Sequence, residues 1–216
     1  MIAIQSRRRL HTALLICSIA VGLSGACASA QDGRHVKVLV YNDARVQEST
    51  LRAGEFETAR IFRLAGVRIA WVDCSANLPA WDKEHCRFGP RTNQYVLRLI
   101  PEGKNSTDLV FGQAFLDETG SGRYADVFFD RIRAAHDEDG TNVTRLLGAV
   151  TAHELGHLFL GFRAHSWIGI MTPLWEGQCL RRMAMGNLLF TREQATRMQF
   201  TLGQNQTHDS LSIAQK

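Results

Sequence analysis

The sequence lacks both an excess of charge of one sign and a long hydrophobic segment. Its 216 residues carry 25 Lys and Arg against 21 Asp and Glu, a formal net charge of +4. Three of those cations are Arg7, Arg8 and Arg9, and subtracting them from +4 leaves +1. No basic arm or stripe follows, which argues against nucleic acid or an anionic membrane surface as the main partner.

The apolar run at residues 10–23 is shorter than the roughly 20 residues that a membrane-spanning helix needs. It follows the three arginines and precedes small residues that end in Ala30, the pattern of a secretory signal peptide. We therefore predict a signal peptide at residues 1–30, cleaved after Ala30, and a secreted or periplasmic single domain at residues 31–216 with no stable membrane insertion. Lipidation of Cys27 stays open, although Leu23 lies four positions before it and the lipoprotein pattern places a Leu three positions before.

Cysteine is scarce, with five in the whole chain, two of them inside the predicted signal peptide. An oxidising compartment favours pairing among the remaining three. Cys74 and Cys86 enclose a short segment without hydrophobic periodicity, and we predict a disulfide between them. Cys179 is then unpaired, and its expected role is that of a small buried hydrophobe, with an exposed reactive thiol as the alternative.

Hydrophobic patterning predicts an α+β domain with a mixed, twisted sheet. The predicted strands cover residues 36–41, 68–74, 95–100, 110–116 and 124–129, and the predicted helices cover residues 51–64, 143–160 and 191–202. The first strand, helix and strand favour a parallel crossover unit. The short connections between the later strands allow antiparallel neighbours. Residues 137–140 are expected to form a turn, and residues after Gly203 are expected to fray.

The helix predicted at residues 143–160 is apolar on more than one side, which is typical of a buried helix. It contains His153-Glu154-Leu155-Gly156-His157. Residues four apart project from one helix face, so His153 and His157 can share a zinc ion. Glu154 is placed to reach a metal-bound water rather than the metal. Burying these polar side chains in so apolar a helix without partners would cost on the order of several kcal/mol of folding free energy, and a bound metal ion would remove that cost.

A catalytic zinc needs a third protein ligand and an open coordination position. Gly161 can end the helix in a left-handed turn, and His165 then lies on a returning loop, where it is the predicted third ligand. Glu176 and Glu193 stay open as carboxylate alternatives. Four further histidines do not belong to any sequence motif with metal-ligand spacing and are left out of the site: His35, His85, His136 and His208.

The chain resembles the metzincin clan of zinc endopeptidases. The resemblance rests on the histidine motif, on His165-Ser166 and on Met171 followed by Thr172-Pro173. The local HS and MxP features are most similar to the matrixins. The clan pattern is HExxHxxGxxH, whereas here the gaps from His157 to Gly161 and from Gly161 to His165 are each one residue longer. The turn also lacks the tyrosine that astacin-like members place two residues after the methionine. The chain is also similar to small exported bacterial zincins.

The resemblance implies a zincin catalytic domain over most of residues 36–203, with an early helix, a buried metal-binding helix, a Met-turn and a C-terminal helix. It implies Zn²⁺ bound by the three histidines of the motif, with Glu154 as the general base and Met171 as a support beneath the metal. The strand at residues 111–116 is expected to border the cleft and pair with an extended substrate. Leu174 and Trp175 are expected either to wall a hydrophobic pocket or to pack in the core.

The leading expectation is thus an exported zinc-dependent endopeptidase that acts on a protein or peptide. Two alternatives stay open: a zinc-binding interaction domain without catalysis, and a zinc hydrolase of a non-protein amide or cell-wall peptide. Glu154 argues against the first, because a site that only binds metal does not need it. The sequence leaves the oligomeric state open.

Overall fold

The computed structural model describes residues 34–75, 86, 90, 93–102 and 110–213. The predicted signal peptide, its cleavage after Ala30 and the lipidation of Cys27 lie outside these residues. Within the described ranges, no helix is both long and apolar enough to cross a membrane.

All the predicted strands and helices are present in the part of the chain that the structure describes, together with two helices that were not predicted. The elements are β1 (Arg34–Asn42), α1 (Glu48–Leu64), β2 (Val67–Asp73), β3 (Gln94–Ile100), β4 (Gly112–Phe115), β5 (Tyr124–Phe128), α2 (Phe129–Asp139), α3 (Val143–Leu160), a 3₁₀ turn (Gly161–Arg163), α4 (Gln178–Ala184) and α5 (Arg192–Ile213). The turn expected at residues 137–140 is wrong, because α2 continues to Asp139 and ends at Gly140, whose φ of 75° suits glycine. The fraying expected after Gly203 is also wrong, since α5 extends to Ile213.

The strands form one mixed sheet in the order β2-β1-β3-β5-β4. The predicted crossover is confirmed, because β1 and β2 are parallel neighbours. The expectation of antiparallel neighbours holds for β4 and β5 alone, since β3 pairs in parallel with both β1 and β5. As a result β4, which covers most of the strand predicted to border the cleft, lies at an edge of the sheet.

Helix α3 is the centre of the core, as its composition predicted. Asn142 caps its start by accepting a hydrogen bond from the backbone N–H of Arg145 at 2.9 Å. Phe159 near its end packs edge-on against Phe62 of α1 and Tyr95 of β3, with ring centroids 5.3 and 4.7 Å apart. Between residues 146 and 160 every residue is buried except His153 and His157, which are half-buried. These two side chains therefore face an opening rather than the core.

The predicted disulfide between Cys74 and Cys86 is present, with a Cα–Cα distance of 5.7 Å. The hydroxyl of Tyr41 on β1 donates a hydrogen bond to the carbonyl oxygen of Cys86 at 3.0 Å. These contacts hold Cys86 against the ends of β1 and β2. Cys179 is unpaired and half-buried against the core, in keeping with the expected role of a small hydrophobe.

Candidate metal centre

His153 and His157 on α3 meet His165, which lies on the loop after the helix. One ring nitrogen from each of the three lies within 4.8 Å of the others. The Nε2 atoms of His153 and His157 are 3.1 Å apart. Among the described residues this is the one cluster of at least three His, Cys, Asp or Glu side chains arranged in this way.

The protonation of these rings fits a metal site. His153 Nδ1 lies 2.7 Å from the carbonyl oxygen of Ile170, and since that oxygen can only accept, Nδ1 carries the proton and Nε2 keeps its lone pair. Burial lowers the pKa of His153 to about 4 and, with the nearby rings of His153 and His165, lowers the pKa of His157 to about 3. Both rings are therefore neutral at pH 7, the form that binds metal ions.

The spacing of the donors also fits. Ligands at about 2.0 to 2.1 Å from a tetrahedral zinc ion lie about 3.3 Å from one another, close to the 3.1 Å between the two Nε2 atoms. Without a cation, His157 Nε2 can carry its ring's proton and donate it to the lone pair of His153 Nε2, whereas a cation held between the two would take a lone pair from each nitrogen. Burial also lowers the pKa of His165, so all three imidazoles are neutral at pH 7 and form a donor set that suits a divalent ion such as zinc.

Glu154 is buried beside this cluster, at 7% exposure. Burial raises the pKa of its carboxyl group to about 8, although a hydrogen bond from the backbone N–H of Ala114 acts in the opposite direction. At neutral pH the carboxyl group is therefore mostly protonated unless a positive charge lies close to it. The neutral histidines supply none, whereas a metal ion held by them would.

The carboxyl group of Glu154 lies directly against the edge strand β4. A Cβ atom added at Gly112 would come within 2.7 Å of Glu154 Cγ and 2.9 Å of the carbonyl oxygen of Asp126. Only glycine leaves room here for the side chain and the strand together. The sequence carried no signal for this role, because the contact joins residues far apart in the chain.

The loop that carries His165 begins with a break in the helix. Gly161 ends α3 with φ 71° and ψ −158°, and an added Cβ would lie 3.0 Å from the carbonyl oxygen of Gly120. One turn of 3₁₀ helix, Gly161–Arg163, follows before His165. This turn accommodates the longer spacing noted in the sequence.

Met171 lies beneath the helix that carries the two histidines. It is fully buried, and its Sδ atom would lie 2.7 Å from a Cβ atom at Gly156. Its carbonyl oxygen accepts a hydrogen bond from the N–H of Ser166 at 3.0 Å, which closes the turn after His165. The methionine thus packs between this turn and α3.

The three histidines and Glu154 open into a cavity of about 540 Å³. The wall is mostly apolar and comprises Val110, Phe111, Gly112, Gln113, Ala114, Leu116, Val150, Phe162, Thr172, Pro173, Leu174, Trp175 and Glu176, besides the four polar residues of the site. Leu174 and Trp175 thus lie on the cavity wall. The indole N–H of Trp175 donates to the carbonyl oxygen of Ile170 at 3.2 Å, the same oxygen that accepts from His153.

Of the two alternative ligands, Glu176 lies on the wall of this cavity, although the described histidine cluster does not include it. Glu193 is exposed in the first turn of α5, and it is not among the described residues that line the cavity.

Gln194, in the same turn as Glu193, was not predicted from the sequence as part of the site. Its amide group reaches the loop around His165. The Thr191-x-x-Gln194 capping pattern was the one available signal for that residue.

Comparison with known proteins gives a likeness in fold. No protein-family model matches the chain, and no curated protein sequence matches it. The archaemetzincin from Methanopyrus kandleri is similar in structure, with a TM-score of 0.51, 23% sequence identity and coverage of 79% of this chain and 97% of that one. The metalloproteinase-II from Bacteroides fragilis gives a TM-score of 0.49, 11% identity and coverage of 78% of this chain and 53% of that one. The archaemetzincin match supports the predicted metalloprotease-like fold, and the matrixin-like details of the loop stay predictions.

Proposed function

We propose that this chain is a zinc-dependent endopeptidase. The observation that carries the proposal is the meeting of three neutral imidazoles and one buried carboxyl group in a single cavity beside a sheet edge. A fold shared with an archaemetzincin supports it. His153, His157 and His165 would hold the zinc ion, and Met171 would support the helix from below.

When bound there, zinc would polarise the scissile carbonyl group and lower the pKa of a water molecule. Glu154 takes the proton from the water as its oxygen bonds to the carbonyl carbon. The same carboxyl group then gives that proton to the amine nitrogen as the C–N bond breaks, so that it ends the cycle ionised. Close packing against Gly112 and a hydrogen bond from the backbone N–H of Ala114 hold the carboxyl group of Glu154 in place during both proton transfers.

The cavity suits an extended peptide. Strand β4 is paired with β5 on one side and borders the cavity at the sheet edge. Its backbone can add a substrate strand, as in β-augmentation. Leu174 and Trp175 offer an apolar surface to a substrate side chain. We also propose that the enzyme acts after export, secreted or in the periplasm, on the strength of the signal-peptide pattern at residues 1–30.

The test of this proposal is digestion of an unfolded protein by the zinc-loaded chain, with the fragments identified by mass spectrometry. We expect internal cleavage that stops when a chelator removes the metal and resumes when zinc is added back. Cleavage of peptidoglycan stem peptides in place of the protein would favour the cell-wall alternative. Zinc binding with no hydrolysis of either substrate would favour the interaction domain.

Gly112→Ala tests the contact that places Glu154. The added methyl group meets Glu154 Cγ at 2.7 Å and Cδ at 3.0 Å, so the carboxyl group must move. We expect kcat/KM for peptide hydrolysis to fall by about 10²-fold, the loss typical of a displacement near 1 Å, with the zinc content unchanged. Gly203→Ala is the control, since its methyl group meets the flexible guanidinium group of Arg34. Equal rates for the two variants would contradict this role of Gly112.

A further inference from the structure

We propose that Gln194 is the positioning residue for His165. This inference rests on the proposed function in one respect, the role of His165 as the third metal ligand. His153 and His157 are placed by the regular geometry of α3, whereas His165 lies on a loop beyond the 3₁₀ turn. The position of its ring is therefore set by whatever holds the loop backbone.

The side chain of Gln194 binds the loop on both sides of His165. Its Nε2 group donates to the carbonyl oxygen of Ala164 at 3.1 Å and to Ser166 Oγ at 2.9 Å. Ala164 and Ser166 are the two chain neighbours of the histidine. At 5% exposure, Gln194 makes these bonds in the protein interior, where an amide group needs its partners.

The other end of the Gln194 amide group is fixed to its own helix. Its Oε1 atom accepts a hydrogen bond from the backbone N–H of Thr191 at 2.9 Å, and Thr191 Oγ1 accepts from the backbone N–H of Gln194 at 3.2 Å. This reciprocal pair is a capping box at the start of α5. It settles which end of the amide group faces the loop, because the oxygen is taken by Thr191.

Arg197, one turn further along α5, binds the segment just before His165. Its Nη1 and Nη2 atoms donate to the carbonyl oxygens of Arg163 at 3.0 Å and Leu160 at 2.7 Å. The helix end, the 3₁₀ turn and the histidine loop are thus all fastened to α5. Gln194 is the member of this set that touches the neighbours of the proposed ligand itself.

The experiment compares zinc affinity in Gln194→Glu and Thr191→Ala by competition with a chromophoric chelator. Glutamate keeps the acceptor for Thr191 N–H but loses the donor to Ala164 and Ser166. The negative charge that Gln194→Glu adds would by itself strengthen the binding of a cation. Weaker zinc binding in this variant would therefore be caused by displacement of the His165 loop. We expect an affinity loss of about 10- to 100-fold, as for other groups that orient a metal ligand. Thr191→Ala should lower the melting temperature and leave zinc affinity unchanged.

A double variant with His165→Ala separates this role from a general structural one. Once His165 is gone, Gln194→Glu should cause no further loss of zinc affinity, because it acts through that ring. Ser166→Ala removes one of the two Gln194 contacts from the loop side, together with the bond from Ser166 Oγ to the carbonyl oxygen of Ile168 at 2.7 Å, and should weaken zinc binding in the same direction.

The proposal is overturned if folded Gln194→Glu, or Ser166→Ala should the first variant not fold, binds zinc like the wild type. It is also overturned if the loss persists in the His165→Ala background, or if His165→Ala itself leaves zinc affinity unchanged. Peptide hydrolysis does not enter these measurements. Failure of the positioning role and failure of the peptidase proposal are therefore distinguished.

Discussion

Glu154→Gln is expected to lower kcat/KM for peptide hydrolysis by about 10²- to 10⁴-fold, the usual contribution of a positioned general base. The amide group has nearly the same size as the carboxyl group and fits the same space beside Gly112. It can neither accept the proton of the attacking water nor return it to the leaving amine. Since Glu154 lies outside the cluster of three ring nitrogens, zinc binding should persist.

The measurement is the steady-state rate on a quenched fluorescent peptide, with zinc content determined on the same sample. Glu193→Gln is the matched control, because that carboxyl group is exposed on α5 and is not among the described residues that line the cavity. Wild-type activity in Glu154→Gln would show that Glu154 does not act as the general base. Loss of activity together with zinc would mean that it acts by holding the metal.

His157→Ala is expected to weaken zinc binding by well over the 10- to 100-fold that loss of an outer supporting group costs. His157 is the middle ring of the cluster, with its centroid 4.9 Å from that of His153 and 4.7 Å from that of His165. Without it the two remaining rings, 5.6 Å apart, hold a metal ion by two ligands only. Hydrolysis should fall with the zinc content.

Zinc stoichiometry after gel filtration, measured by mass spectrometry of the metal, checks this prediction. Thermal unfolding offers a second readout: zinc at about 100 times its Kd adds about 2.7 kcal/mol to the stability of a protein that binds it only when folded. We expect the melting temperature of His157→Ala to be insensitive to zinc. His136→Ala is the control, since that ring is an exposed partner of the Thr141 carbonyl oxygen. One tightly bound zinc per chain in His157→Ala would refute its role as a ligand.

The parts of this site that could be predicted from sequence are those set by local geometry. His153 and His157 share a face because of the helical repeat, and the apolar residues around them required a buried helix. The order of the strands was harder to predict, because it does not follow the chain: β5 pairs with β3, and β4 lies beyond β5 at the edge of the sheet. Helix α2 went unpredicted, since it is rich in charged residues and Ile132 is its one buried residue.

The rest depends on contacts between distant segments. Gly112 meets Glu154, and Gln194 meets Ala164 and Ser166, only after the strands and helices have packed. A single glycine or glutamine carries no mark of the partner that it will find. Such contacts form only in the folded protein, and they decide how firmly the predicted residues are held.

The carbonyl oxygen of Ile170 accepts from both His153 Nδ1 and Trp175 Nε1. A carbonyl oxygen has two lone pairs, so both are taken up here. An engineer who replaces Trp175 to admit different substrate side chains would also change the anchor of a proposed zinc ligand. Leu174 has no polar group to engage this oxygen, which makes it the better starting position for retuning selectivity without cost to metal loading.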